Sequence, residues 1–383
     1  MLSPLSITFI LIIYFSLLVL IAKITQGNSS NDTFFIGQRK SPWYIVAYGM
    51  IGASLSGVTF LSVPGWVGGD SPSGFLYMQM VFGYVPGYLF IAYILMPVFY
   101  KMRVYSIYEY LKERFGFYSH KSGFFYFFLS RTLGASLRLF LVVTVLQTLI
   151  FKSIGVPFFI TTIITIALIC LYTYRGGIKT IIWTDTLQTT FMLLTAIICS
   201  YSLLKELGYT SIRESINSII LFGIESPPPK PYNLLNLKMI SFENFNHSNH
   251  FFRSFLSGMF IAIAMTGLDQ DMMQKNLSCR NIKDAQRNMV CFSLILVLVN
   301  LLFLYLGALL YQYAHTYNIQ NIVDGEFAED QLFVNIIQNG SLGVFVFITF
   351  LLGLMSAAYS SADSALTSLT TSFCVDFLEI KKD

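Results

Sequence analysis

Residues 41–69 read SPWYIVAYGMIGASLSGVTFLSVPGWVGG, a stretch without one Asp, Glu, Lys or Arg. A bilayer core takes about 20 mostly apolar residues per helix, so this stretch is long enough to cross it. Its middle is nevertheless a poor helix. Gly49, Gly52, Ala53, Ser54, Ser56, Gly57 and Thr59 crowd together, and Pro64-Gly65 follows. Glycine lowers helix stability by about 1 kcal/mol per site, and proline removes a backbone donor. A break here frees carbonyls at mid-membrane depth, where they are tolerated only if something coordinates them, such as an ion or water. The other reading is close helix packing through small residues, and from this stretch alone the two stand even.

The same charge-free pattern recurs at 1–22, 71–100, 153–174, 186–204, 288–323 and 331–362. Over all 383 residues 55% are apolar and 11% charged, against about 25% charged in an ordinary soluble domain. One compact water-soluble domain is therefore excluded. The chain reads as an all-α polytopic membrane protein, a single transmembrane domain over 1–383 with no soluble appendage. Nine spans are expected near 5–22, 43–66, 75–100, 122–151, 157–174, 180–204, 251–273, 289–314 and 343–373. The first follows no basic segment and precedes no small-residue cleavage site, so it reads as a retained helix. Residues 205–250, with Pro227-Pro228-Pro229, and the acidic 315–341, with Asp324, Glu326, Glu329 and Asp330, read as long polar loops.

Charge placement sets the orientation. With the N-terminus outside, the inner segments are 23–42, 101–121, 175–179, 274–288 and the tail from 374, and they hold sixteen of the 24 Lys and Arg. The outer segments hold six, and Arg131 and Arg138 fall within a span. This is the cytoplasmic bias of a plasma-membrane protein, or of a bacterial inner-membrane protein in a prokaryote. No basic stripe stands clear of the spans, so nucleic acid is not an expected partner. Cys170, Cys199, Cys279, Cys291 and Cys374 form no CxxC and no paired framework, and read as inert thiols.

Chemistry in such a chain resides in the polar atoms its spans retain. Eight Ser or Thr lie between 360 and 372, with Asp363 among them. At helical spacing Ala357, Ser361, Ser364, Ser368 and Thr371 share one face, and Ser356, Ser360, Asp363 and Thr367 the adjacent one. Hydroxyls can bond back to their own helix, but so many exceed that need, and a hard cation takes oxygen ligands. Asp363 is either functional or a carboxylate near the inner end reaching water. Asp185, in Trp183-Thr184-Asp185-Thr186, either supplies an ion site with charge or stabilises a helix N-terminus, the second being favoured on its own. Arg131, too deep to snorkel, either pairs with an acid or receives an anion. Tyr77 and Gln79 offer polar groups at similar depth, for a substrate or for bonds between helices.

At these residues the chain resembles the solute:sodium symporter family. The likeness rests on Phe34-Phe35-Ile36-Gly37-Gln38-Arg39, on Ser54-Leu55-Ser56-Gly57-Val58-Thr59-Phe60-Leu61 with Pro64-Gly65, and on Arg175-Gly176-Gly177 leading into Trp183-Thr184-Asp185. Gly267-Leu268-Asp269-Gln270 with Met273-Gln274-Lys275, and the Ser360-Ser361 helix, complete it. The resemblance implies an inverted-repeat, leucine-transporter-like bundle, with 5–22 as an extra helix, 43–204 as the first repeat and 251–373 as an incomplete second. Members continue for several helices beyond the Ser-Ser helix, whereas this chain ends at Asp383, so the final helices of the second repeat are expected to be missing. By position, sodium ligands would be the carbonyls of Gly52, Leu55 and Ala357 and the hydroxyls of Ser360 and Ser361. Asp185 would support that site or form a second with Ser360 and Ser361, for which members carry a serine at the place of Ala357. The substrate site would comprise Ser54, Ser56, Thr59, Gln79 and Arg131, closest to the sialic-acid branch.

The expected function is sodium-coupled uptake of a small organic solute, an anion such as a sialic acid or another carboxylate, by alternating access. Partners would be that solute, sodium as coupling ion and the bilayer, with no cofactor. The alternative is a transport-deficient sensor or scaffold that keeps the fold. An enzyme is not expected: His120, His247, His250 and His315 lie in loops or at span ends, and no Gly-x-Ser-x-Gly or His-Glu-x-x-His occurs.

Overall fold

The computed structural model describes residues 4–25, 31–68, 74–174, 177–225, 238–243, 245, 249–319, 329–339 and 342–380. Arg175-Gly176, the Pro227-Pro228-Pro229 run, His247, Asp324 and Glu326 lie outside them. The long elements are α1 (Pro4–Thr25), α2 (Trp43–Ser54), α3 (Gly57–Gly65), α4 (Gly74–Met102), α5 (Phe117–Leu146) and α6 (Phe158–Thr173). They are followed by α7 (Gly177–Glu206), α8 (Phe251–Gly267), α9 (Gln270–Leu277), α10 (Ile282–Thr316) and α11 (Gly343–Phe377). Six are long and apolar enough to cross a membrane singly, α2–α3 and α8–α9 each do so as a bent pair, and α6 is shorter. The nine expected segments are thus all helical.

The break expected in the second span is present. Leu55 N still donates to Ile51 O at 2.8 Å, but Leu55 (φ −85°, ψ 85°) and Ser56 (φ −67°, ψ 168°) leave the helical path. Ser56 then caps α3, its hydroxyl accepting from Thr59 N, and the two halves meet at 64°. The seventh span, expected as one helix over 251–273, is also broken. Asp269 caps α9, its Oδ1 accepting from Asp271 N at 2.9 Å and Met272 N at 3.3 Å, and the halves meet at 68°. No proline marks this break. A short acidic side chain that bonds the next amides ends one helix and starts another.

Two readings of loops need correction. Residues 205–250 include a helix, Ile212–Glu225, begun by a box in which Ser211 Oγ accepts from Glu214 N at 3.2 Å and Glu214 Oε2 from Thr210 N at 2.8 Å. Residues 315–341 include Leu332–Asn339, which buries Phe333 between Phe60 (5.5 Å) and Phe350 (4.7 Å). Overall polarity masked both, although the Ser211-x-x-Glu214 signal was there to be read.

Packing leaves little room. A Cβ on Gly83 of α4 would stand 2.0 Å from Phe255 O, and one on Gly258 of α8 would stand 2.0 Å from Met80 O. These backbones touch, as small-residue crossings allow. α1 is integral to the bundle: Tyr14 and Leu18 are buried, and Phe15 meets Tyr359 of α11 edge to face at 5.2 Å. Leu133, Leu137 and Phe140 of α5 and Ile163 and Leu171 of α6 are exposed, an apolar coat suited to lipid. All five cysteines are free.

Candidate ion and solute site

α7 carries Asp185 about two turns past its start, beyond the first turn in which a helix dipole acts. The helix-terminus reading of Asp185 is therefore replaced. The carboxylate is wholly buried; Lys275 Nζ donates to Oδ2 at 2.7 Å and Ser360 Oγ to Oδ1 at 2.6 Å. Lys275 had been grouped with the basic residues of loop 274–288. It sits instead in α9 at 1% exposure, because the break at Asp269 turns that half-helix into the bundle. Removing one partner of such a pair costs about 3–5 kcal/mol, since it strands a buried charge.

The end of α2 meets α7 and α11 at the same place. Gly52 N donates to Thr189 Oγ1 at 3.1 Å. A Cβ on Gly52 would stand 2.4 Å from Thr189 Oγ1 and 3.4 Å from Ser360 Oγ. Next to Ser360, Ser361 Oγ makes only a long 3.3 Å bond, to Ala357 O one turn back. The structure thus gathers Gly52, Ser360 and Asp185 at one junction, with Leu55 closing α2 and Ala357 and Ser361 alongside on α11. A helix end leaves its last carbonyls unpaired. Those of α2, with the hydroxyls of Ser360 and Ser361 and the Asp185 carboxylate, are hard oxygen donors, the kind a hard cation takes.

Beside the junction lies a cavity of about 200 Å³. Ser54, Ser56 and Thr59 line it from the first break, Tyr77, Tyr84 and Tyr88 from α4, Thr266 and Met272 from the second break, and Asn300 from α10. Arg131 and Arg138 of α5 complete it. Of the expected substrate residues, Ser54, Ser56, Thr59 and Arg131 are brought together and Gln79 is not. Gln79 is buried among loop backbone: its Nε2 donates to Asn249 O at 2.9 Å and its Oε1 accepts from Ser241 N at 2.9 Å. Arg131 is committed to acids. Its Nη2 donates to Asp269 Oδ1 at 2.7 Å and also to Asp271 Oδ2, while its buried Nε makes no hydrogen bond. Arg138, two turns further along the same face, has no ion pair or hydrogen bond among the described residues. Asp363 does not reach water, as one reading had it; it is fully buried.

Sequence reasoning missed Lys275, Asp271 and the pairing role of Asp269, although all three stand in the quoted Gly267–Lys275 stretch. Arg131 at its depth demanded an acid or an anion, and two acids of the seventh span answer it.

Two helices broken in mid-span with a polar cavity between them define a multi-pass protein of the inverted-repeat secondary-transporter architecture. The profile of the sodium:solute symporter family matches residues 34–382, and the chain belongs to that family. It is 22% identical to sodium/glucose cotransporter 1 of Oryctolagus cuniculus, over 97% of this chain and 58% of that one. It is 25% identical to the sodium/sialic acid symporter NanT of Aliivibrio fischeri, over 92% of this chain and 66% of that one. It therefore spans under two thirds of the length of either relative. The solved structure of a Na⁺-coupled sialic acid symporter in a substrate-bound outward-open state shares the fold, with TM-score 0.80 at 18% identity, over 98% of this chain and 74% of that one.

Proposed function

We propose that this chain carries a sodium-coupled transport site for a small organic anion, a carboxylate such as a sialic acid, worked by alternating access. The membrane would be the plasma membrane, with the N-terminus outside. One observation carries this reading: the hydroxyls of Ser54, Ser56 and Thr59 and the uncommitted Arg138 face one cavity, next to the Gly52–Ser360–Asp185 junction. Sodium would take the carbonyls of Gly52, Leu55 and Ala357 and the hydroxyls of Ser360 and Ser361, with Asp185 supporting them. Lys275 now holds Asp185, so sodium and the ammonium group are alternative counter-charges for it. Sodium shifts the conformational balance only as far as it binds one state better, and displacing Lys275 from Asp185 is a contact change of that kind.

The ion pairs of Arg131 with Asp269 and Asp271 support giving the anion-binding role to Arg138 instead. A guanidinium held by two carboxylates has its charge already met, whereas a free one can grip a carboxylate bidentately. One relative, NanT, is named for sialic acid, and another for glucose, so the choice of an anion leans on Arg138. The test is equilibrium binding of sialic acids, monocarboxylates and neutral sugars in sodium, with Arg138→Ala and Arg131→Ala. Arg138→Ala should abolish binding of the anions alone. Unchanged anion binding in Arg138→Ala would contradict the assignment.

A further inference from the structure

α1 and α6 lie side by side without closing on each other. Between them runs a furrow of about 560 Å³, which shares no lining residue with the polar cavity. Phe15 of α1 and Ile164 and Leu168 of α6 wall it, and the lining is apolar save for Thr8, Ser16 and Lys23. Lys23 is exposed and makes no ion pair among the described residues. Two residues on, Thr25 Oγ1 lies 3.1 Å from Thr180 Oγ1 of α7. That contact fixes this end of α1 to the bundle and keeps the wall of the furrow in place.

Dimensions select the occupant. From Thr8 to Lys23 the α1 wall is fifteen residues long, about 22 Å at the rise of an α-helix. A partner helix of that length, about 10–12 Å across with its side chains, would fill roughly 2,000 Å³, several times the space present. A single acyl chain is slender enough to lie there, hung from a headgroup at the membrane surface.

Charge selects the headgroup. One ammonium group ends an otherwise nearly apolar furrow. With the N-terminus outside, Lys23 stands at the cytoplasmic surface, where the leaflet holds anionic lipids and basic side chains between spans bind their headgroups.

We propose that the α1–α6 furrow seats one anionic phospholipid of the inner leaflet, its phosphate on Lys23 and one acyl chain along Phe15, Ile164 and Leu168. Phe15 also meets Tyr359 of α11 at 5.2 Å. The lipid thus fills the space behind the ring that joins α1 to the Ser360 helix. Only the orientation of the chain is taken from the transport reading.

The test is native mass spectrometry of the purified full chain in detergent and potassium buffer. Phosphatidylglycerol and phosphatidylcholine with the same acyl chains are titrated in separately. Without sodium, solute or bilayer, the result is independent of the transport site and of the orientation. One phosphatidylglycerol per chain is expected, bound in preference to phosphatidylcholine. Lys23→Ala should weaken phosphatidylglycerol about fivefold and bring it level with phosphatidylcholine. Leu168→Trp, which fills the furrow, should lower retention of both lipids. If Leu168→Trp does not fold, the exposed Lys23→Ala decides. Equal retention of the two lipids by the unchanged chain, or a preference that survives Lys23→Ala, would overturn the site. A dimer that Leu168→Trp converts to monomer would also overturn it, with a second copy covering the furrow instead.

Discussion

At the scale of single residues, the decisive contacts are ion pairs set deep among apolar helices. Lys275→Met strands Asp185 without a counter-charge and should lower stability by about 3–5 kcal/mol, read as thermal unfolding of the purified protein. Adding Asp185→Asn should recover most of that loss; a double variant as unstable as Lys275→Met would show that the pair matters through packing alone. Arg131→Gln leaves Asp269 and Asp271 facing each other without a cation. It should destabilise the fold on a similar scale, whereas Arg138→Ala should leave unfolding nearly unchanged and act on anion binding. Asp185, Ser360 and Ser361 were legible because a carboxylate and a run of hydroxyls stand out in apolar helices. Lys275 was not, because a lysine six residues past an unmarked helix break looks like loop charge. Its burial depends on where α9 points, and no local pattern states that.

Among the elements, the two broken helices differ in how plainly they are written. The first break announces itself through Gly52, Ser54, Ser56, Gly57 and Pro64. The second depends on Asp269 capping the following amides, a signal shared by many residues that break nothing. Asp269→Ala removes both the cap and one Arg131 partner. It should cost more than the ~1 kcal/mol of an ordinary N-cap, and anion binding should weaken with it because Thr266 and Met272 border the cavity. The crossing of α4 and α8 admits no side chain at Gly83 or Gly258. Gly83→Val should separate the helices and cost at least the 1–3 kcal/mol typical of overpacking, seen as a lower unfolding temperature. An unchanged unfolding temperature would mean that the crossing is looser than its 2.0 Å clearance.

For the whole molecule, composition alone foretold a helical bundle in lipid, and charge-free stretches located its spans. The capped helix Ile212–Glu225 and the core-facing Leu332–Asn339 escaped that reading, since hydropathy finds only what the bilayer must cover. Family membership follows from residues distributed along nearly the whole chain, from 34 to 382. Of the residues expected around a solute, Ser54, Ser56, Thr59 and Arg131 line one cavity and Gln79 does not, while Arg138 stands out as a proposed anion ligand only once Arg131 is seen to be held by two acids. A protein that binds sodium in its folded state gains stability by mass action, about 2.7 kcal/mol at a hundredfold excess over Kd. Replacing sodium with potassium should accordingly lower the unfolding temperature, and Ser361→Ala should shrink the difference.

The most direct measurement is equilibrium binding of a labelled carboxylate solute to the purified full chain, in sodium and in potassium at equal ionic strength. Binding that appears in sodium, fades in potassium and is weakened by Ser361→Ala is the predicted result. Equal binding in the two salts would contradict the coupling of the cavity to the Gly52–Ser360–Asp185 junction.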